Sequence, residues 1–250
     1  HPSFADIRAV AAALTELTGS KLGYIPEGAN STGAALVGVL PHRGVGGVKR
    51  EDPHGLNAQE MLNSPRRAYL LYGFEPEFDL INPVLANDAL TTADTVVCFS
   101  PFVTESLLDQ ADVLLPIATY AETDGTFVNA AGVWQSFNAA VDCVGDAKPG
   151  WRLLRALGNA IEMADCEYQS AGDIREALKV KLEGLKSSNR YRGKFPVSLA
   201  VPEAGEGVLD VPIYSVDGIV RRGTALQQTQ TAKAAGLSDI NSKVEQITDD

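Results

Sequence analysis

The chain has 250 residues, 45% of them apolar and 21% charged, with a formal net charge of −11. That composition is globular and excludes a disordered chain, and the negative balance argues against nucleic acid and anionic membrane surfaces as partners. Three cysteines, Cys98, Cys143 and Cys166, lie far apart with no C-x-x-C, so this stretch encodes no iron–sulfur or zinc cassette by itself.

The odd cysteine count fits a reducing, cytoplasmic compartment. No signal peptide and no apolar run long enough to span a bilayer is visible. The chain begins at His1 without a methionine, which raises the expectation of a processed chain or a fragment of something longer.

Taken in order, Phe4, Ile7, Val10, Ala11, Leu14 and Leu17 recur at helical spacing over Phe4–Thr18, with Ser3 or Asp6 as a start and Gly19 as a stop. Leu22–Ile25 reads as a strand and Pro26–Gly33 as a loop. Small residues and Asn30 in that loop suit a backbone-lined turn before a helix, either a plain tight turn or an anion site. Val37–Val48 is glycine-rich and expected to be irregular, with His42 and Arg43 on a solvated surface. A short helix is expected around Ala58–Leu62, and His54 is a lone histidine without a partner at metal spacing.

Ala68–Tyr72 is continuous and apolar, as in a buried parallel strand. A loop at Gly73–Glu77, a helix over Pro83–Leu90 and a second buried strand at Thr95–Phe99 follow, with Cys98 as a small core residue. Thr104–Ala111 reads as a helix with Leu107 and Leu108 towards the sheet, and Val113–Ile117 as a third buried strand. Strands alternating with helices at this spacing imply a parallel, Rossmann-like sheet with right-handed crossovers. Trp151–Met163 and Asp173–Leu185 are two further amphipathic helices. Beyond about Ser187 the composition shifts: Lys186–Lys194 reads as a linker or surface loop, Phe195–Val201 and Val208–Tyr214 as strands, and Thr231–Asp250 as a polar, acidic helix or a disordered tail.

The chemistry concentrates after the third strand. Glu122, Thr123, Asp124, Gly125, Thr126 and Asn129, then Gly132, Trp134 and Gln135, form a polar, glycine-bearing loop directly behind a buried strand. Open α/β sheets place their ligand crevice at such a point. Gly125 would let backbone approach a partner closely. Glu122 and Asp124 form either a general acid/base pair or a set of carboxylates capping turns and binding backbone amides. Histidines at 1, 42 and 54 give no context for a nucleophilic triad. No G-x-G-x-x-G follows a strand, against a free-standing dinucleotide-binding domain.

The same residues carry a resemblance. ADVLLP, AETDGTFVN and AAGVWQ, in that order within 111–135, resemble the molybdopterin-dependent oxidoreductases, whose usual form is ADVVLP, E-x-x-G-T-x-x-N and E-G-R-x-Q. Pro26–Ala34 resembles that superfamily's G-x-N-x-x-G. Ala131–Gly132–Val133 stands where Glu-Gly-Arg is expected, and valine cannot pair with phosphate or pterin. That departure, YLLYGFEPEFD at 69–79 and DGIVRRGTALQQTQ at 217–230 resemble one branch, the large iron–sulfur subunit of bacterial respiratory NADH:quinone oxidoreductase, in its carboxy-terminal part.

The resemblance implies an α/β fold of the formate-dehydrogenase-like type over residues 1–186, with a carboxy-terminal extension over 187–250. It implies a vestigial pterin-pocket loop made of Glu122, Thr123, Gly125, Thr126, Asn129 and Gln135, with no catalytic residue and no metal ligand. No cofactor is expected in this stretch, whereas the whole subunit would carry 2Fe-2S and 4Fe-4S clusters. Expected partners are the amino-terminal cluster domain and other peripheral-arm subunits, without direct membrane insertion. The other reading it leaves open is the second pterin's half-pocket in an active molybdopterin enzyme. Arg221 and Arg222 are expected as a salt-bridged interface pair rather than anion ligands. An exposed apolar patch is expected around Leu22–Gly38 and Val37–Val48.

Overall fold

The computed structural model describes residues 4–26, 28–51, 55–80, 82–185 and 213–234. Helix α1 spans Phe4–Thr18, as its spacing predicts. Its packing face is not the expected one: Ile7, Val10, Leu14 and Leu17 are exposed, while Ala9 and Ala12 are buried. The small side chains meet the rest of the chain and the large ones face outward. Leu22–Ile25, expected as a strand, is irregular. Gly23 interrupts the apolar run, and no strand among the described residues supplies a ladder for it.

Helix α2, Ser31–Leu36, begins inside the expected loop. The glycine-rich stretch behind it holds a 3-10 turn at Val45–Gly47 and isolated bridges from Arg43 to Leu40 and Lys49. His42 is exposed there, as expected, and His54 lies outside the described residues. Helix α3, Ala58–Asn63, starts with a reciprocal cap between Asn57 and Glu60.

The centre is a parallel sheet of β1 (Ala68–Tyr72), β2 (Thr95–Ser100) and β3 (Val113–Pro116), in that spatial order. Between β1 and β2 lie α4 (Pro76–Asp79), where a loop was expected, and α5 (Pro83–Thr91); α6 (Glu105–Gln110) joins β2 to β3. Pro83 stands in the first turn of α5, where its missing N–H costs nothing, and Asn82 Oδ1 accepts from the Leu85 amide at 3.1 Å.

Tyr69, Val96, Ala89 and Leu90 form the core on the helical side. Leu107 is fully buried but Leu108 is 56% exposed. Successive helical residues diverge by about 100°, so the two cannot both face the sheet. Cys98, in mid-sheet, is a core residue; burial, then Glu77 and Glu75, pushes its thiol up to about 11.

Crossovers of one hand through three strands in sequential order put all connecting helices on one face, and α5 and α6 do touch each other. The opposite face is only partly covered: Phe99, in register with Tyr72 and Leu115, is buried there. Leu70, Tyr72, Val113 and Leu115 are half-exposed there, which corrects the expectation that β1 and β3 are fully buried. Helix α7, Gly150–Ala160, meets this face at its start: a Cβ on Gly150 would stand 2.1 Å from the Tyr72 hydroxyl. Its Leu154, Leu157 and Ile161 remain exposed. Ile25, Val39 and Val48 are exposed where an apolar patch was expected, but α1, the partly covered sheet face and α7 expose further apolar residues.

Helix α8 is Ala171–Lys181, and the described residues of the carboxy-terminal portion hold three short helices: α9 (Gly218–Arg221), α10 (Thr224–Gln227) and α11 (Gln230–Ala234). The expected strand Phe195–Val201 and most of Val208–Tyr214 lie outside the described residues. Ile213 and Tyr214 themselves sit in a 3-10 turn, Ile213–Ser215.

Candidate functional site

The stretch behind β3, expected as a loop, is a β-hairpin: β4 (Gly125–Val128) pairs antiparallel with β5 (Trp134–Phe137). Alternation then splits the candidate residues. Thr126 and Gln135 lie on opposite faces, because the register pairs Thr126 with Ser136 and Phe127 with Gln135. Thr126 Oγ1 and Ser136 Oγ are 3.1 Å apart.

Each polar group of the motif is engaged within the chain. Glu122 Oε2 accepts from the Thr119 amide at 2.7 Å and the Thr119 hydroxyl at 2.9 Å, and Oε1 accepts from the Val144 amide at 3.0 Å. The Thr119 N–H, ahead of its hydroxyl and the Val144 N–H, holds the Glu122 carboxyl below the usual range. Asp124 Oδ1 accepts from the Ala139 amide at 2.8 Å, and the Thr123 hydroxyl reaches the Asp124 carbonyl at 3.3 Å. The two carboxylates therefore bind backbone amides, the second of the two roles the sequence allows.

Gly125 does permit a close approach, but the partner is internal: a Cβ there would lie 2.3 Å from the Phe137 ring. That ring sits edge-on to Phe127 at 5.1 Å. Asn129 closes the turn. Its Oδ1 accepts from the Ala131 amide at 2.9 Å and the Val133 amide at 3.0 Å, and its Nδ2 reaches Gln135 Oε1 at 3.4 Å. Gly132 holds φ 79°, a conformation suited to glycine. Val133 is 53% exposed at the tip.

The amino-terminal motif meets this hairpin. Asn30 Oδ1 accepts from the Val128 amide at 2.8 Å, across 98 residues. Gly33 makes this possible, since a Cβ there would lie 2.1 Å from that same oxygen. The asparagine of the G-x-N-x-x-G turn thus ties this turn to the hairpin through its side-chain oxygen. Between α2, the hairpin, α7 and α8 is a cavity of about 330 Å³, lined by Asn30, Thr126, Trp134, Trp151 and Arg175 among others. Arg175, which donates to Ser136 Oγ at 3.0 Å, is a cation beside the motif that no local pattern announced.

A second crevice, of about 230 Å³, opens at the carboxyl ends of β1–β3 and is lined in part by Gly73, Phe102, Thr119, Asp217 and Arg221. Here the two remaining motif segments meet. Arg221 donates to Glu75 Oε2 at 3.2 Å and to Asp79 Oδ1 at 2.7 Å. Arg222 forks onto both Glu75 oxygens, each at 3.0 Å. The pair is salt-bridged, as expected, with partners inside the chain.

This arrangement offers neutral hydrogen-bonding groups and paired charges, without a nucleophile–base pair. A pterin dinucleotide does not fit the hairpin's residues: Glu122 and Asn129 are consumed by backbone amides, and the exposed turn presents Val133 where a phosphate would need a cation. Among the described residues no three His, Cys, Asp or Glu side chains cluster to hold a metal. No described helix is long and apolar enough to cross a membrane.

The chain is similar to the G-type subunit of the NADH-quinone oxidoreductase of Streptomyces coelicolor, with 30% identity over 259 residues, 88% of this chain and 29% of that protein. It is also similar to the mitochondrial NADH dehydrogenase [ubiquinone] iron-sulfur protein 1 of Solanum tuberosum, with 29% identity over 199 residues, 72% of this chain and 27% of that one. A putative formate dehydrogenase of Staphylococcus haemolyticus is 28% identical over 176 residues, 69% of this chain and 18% of that protein. The chain thus spans less than a third of the length of these relatives. The molybdopterin oxidoreductase family model matches residues 2–160, a span containing the sheet, the hairpin and the Asn30 turn, and the chain belongs to the molybdopterin oxidoreductase family.

Proposed function

We propose that this chain is the carboxy-terminal, non-catalytic structural and interaction domain of an iron–sulfur subunit of NADH:quinone oxidoreductase. That assembly passes electrons from NADH through iron–sulfur clusters towards quinone. In this reading the 2Fe-2S and 4Fe-4S clusters belong to the remainder of the subunit. Its partners are that cluster-bearing portion and other peripheral-arm subunits, on the cytoplasmic side.

The observation that carries the reading is Val133, exposed at the hairpin tip where the pterin-binding pattern has arginine. Val133 itself supplies no charge to neutralise a dinucleotide phosphate, and the neighbouring Arg175 is turned to Ser136 of the hairpin and to Glu176. The similarity to the Streptomyces coelicolor protein over 88% of the chain supports the same assignment. So do the uncovered apolar rows on α1, the sheet and α7, which suit a domain packed among neighbours.

The test is metal and pterin analysis of the whole purified protein: iron without molybdenum is the expected result, and stoichiometric molybdenum with pterin overturns the proposal. A second reading, part of an active molybdopterin enzyme, draws on the similarity to a putative formate dehydrogenase, and the same analysis would favour it on finding molybdenum.

A further inference from the structure

The crevice at the carboxyl ends of β1–β3 is where open α/β sheets take ligands. In this chain a segment of its own covers it. Glu75 is 4% exposed and Arg221 2% exposed. Buried charges persist only when paired and hydrogen-bonded, and here each guanidinium has both a carboxylate and an aromatic face. Arg221 Cζ lies 4.8 Å over the Phe78 ring, and Arg222 Cζ lies 4.1 Å over the Phe102 ring. A planar cation held by a carboxylate fork and an aromatic ring is the chemistry by which arginine side chains are recognised.

The covering segment is preorganised. Asp217 caps α9 by accepting from the Ile219 and Val220 amides. Gln227, 1% exposed, donates to the Tyr214 and Val220 carbonyls and closes the segment on itself. Gly218 allows the close approach: a Cβ there would lie 3.0 Å from the Phe102 ring and 3.2 Å from Glu75 Oε1. The crevice's own charges, Glu75 and Asp79, are negative, so it repels phosphate and attracts cations.

We propose that Glu75, Asp79, Phe78 and Phe102 form a receptor for a paired-arginine peptide segment, filled here in cis by residues 217–222. The receptor accepts a dibasic peptide and excludes nucleotides. This inference stands apart from the assembly proposed above and does not depend on it.

Hydrogen exchange on the full chain tests it. Replacing both Arg221→Ala and Arg222→Ala should lower protection at 218–227 and at 73–79 by about 100-fold or more, while the amides of β1–β3 stay protected. Excess synthetic peptide of residues 213–234 should restore protection at 73–79. The same peptide with both arginines changed to lysine should not, because ammonium groups lack the fork. Millimolar inorganic pyrophosphate should leave the wild-type pattern unchanged.

Failure of the wild-type peptide to restore protection, equal rescue by the lysine peptide, or displacement of 213–234 by pyrophosphate would overturn the proposal. Should the double variant unfold as a whole, the milder Arg222→Lys takes its place. A local loss of about ten-fold at 218–222, reversed by the wild-type peptide, is then expected, and an unchanged pattern or an irreversible loss overturns the idea.

Discussion

The hairpin of residues 119–139 and the crevice beneath residues 213–227 are both dense in polar side chains, yet they satisfy them in opposite ways. In the hairpin the carboxylates and Asn129 take backbone amides close in sequence, as Asn129 with Ala131 and Val133, or Asp124 with Ala139, and only Asn30 and Arg175 among the bonds described above reach in from farther away. In the crevice the partners are opposite charges more than 140 residues apart. A motif satisfied locally keeps its shape whether or not it still serves a ligand, whereas one satisfied across the fold ties two distant segments together. Under the function proposed above, the first accounts for a hairpin that keeps its shape without a cofactor; the second gives Arg221, Arg222, Glu75 and Asp79 a structural reason of their own.

The contrast breaks most visibly at Glu75. Glu75→Gln leaves the buried Arg221 guanidinium with Asp79 alone and the partly buried Arg222 without a carboxylate, and should cost about 3–5 kcal/mol in denaturant unfolding; a cost below about 1 kcal/mol would mean the crevice is not a charge-locked site. Next comes Asn30→Ala, which strands the buried Val128 amide and should cost about 1–3 kcal/mol, with exchange quickening at Val128. Asn129→Ala acts on one turn and should cost about 1 kcal/mol, sparing the exchange of β1–β3.

The smallest effect concerns pH. The folded Glu122 carboxyl titrates below its ordinary value, held first by the Thr119 N–H, so its contribution is present above the unfolded value and fades as pH falls through the lower folded one. Glu122→Gln should therefore flatten the acid limb of a stability–pH curve slightly and leave the neutral region's slope unchanged; a change of slope confined to neutral pH would contradict the geometry.

Much of the scaffold was legible because local chemistry and fold agree. The run Thr95–Phe99 and the Asn82–Pro83 start fixed β2 and α5 to within a residue at their boundaries. The hairpin was not legible as such, because Thr126 and Ser136 break the apolar alternation on its inner face and read as loop residues. Helix α1 was legible as a helix but not by its face, since the periodic large residues suggest a core that Ala9 and Ala12 in fact occupy. Leu22–Ile25 has strand composition without a neighbouring strand to pair with among the described residues. Within the site, the roles of Glu122 and Asp124 as amide acceptors could be argued from the turn chemistry. The Asn30–Val128 and Arg221–Glu75 contacts could not, because nothing local distinguishes a polar group bonded across the chain from a solvated one.

The Arg221–Glu75 bond has a temporal consequence. Its partners are 146 residues apart, so closing it carries a large loop-entropy cost and adds to the fold's contact order. The β-α-β core around Val96 needs only short-range closures and can assemble well before the arginine pair emerges from a ribosome. Crevice closure then follows sheet formation, and a kinetic experiment should find a sheet that forms early and a slower phase that Arg221→Ala abolishes.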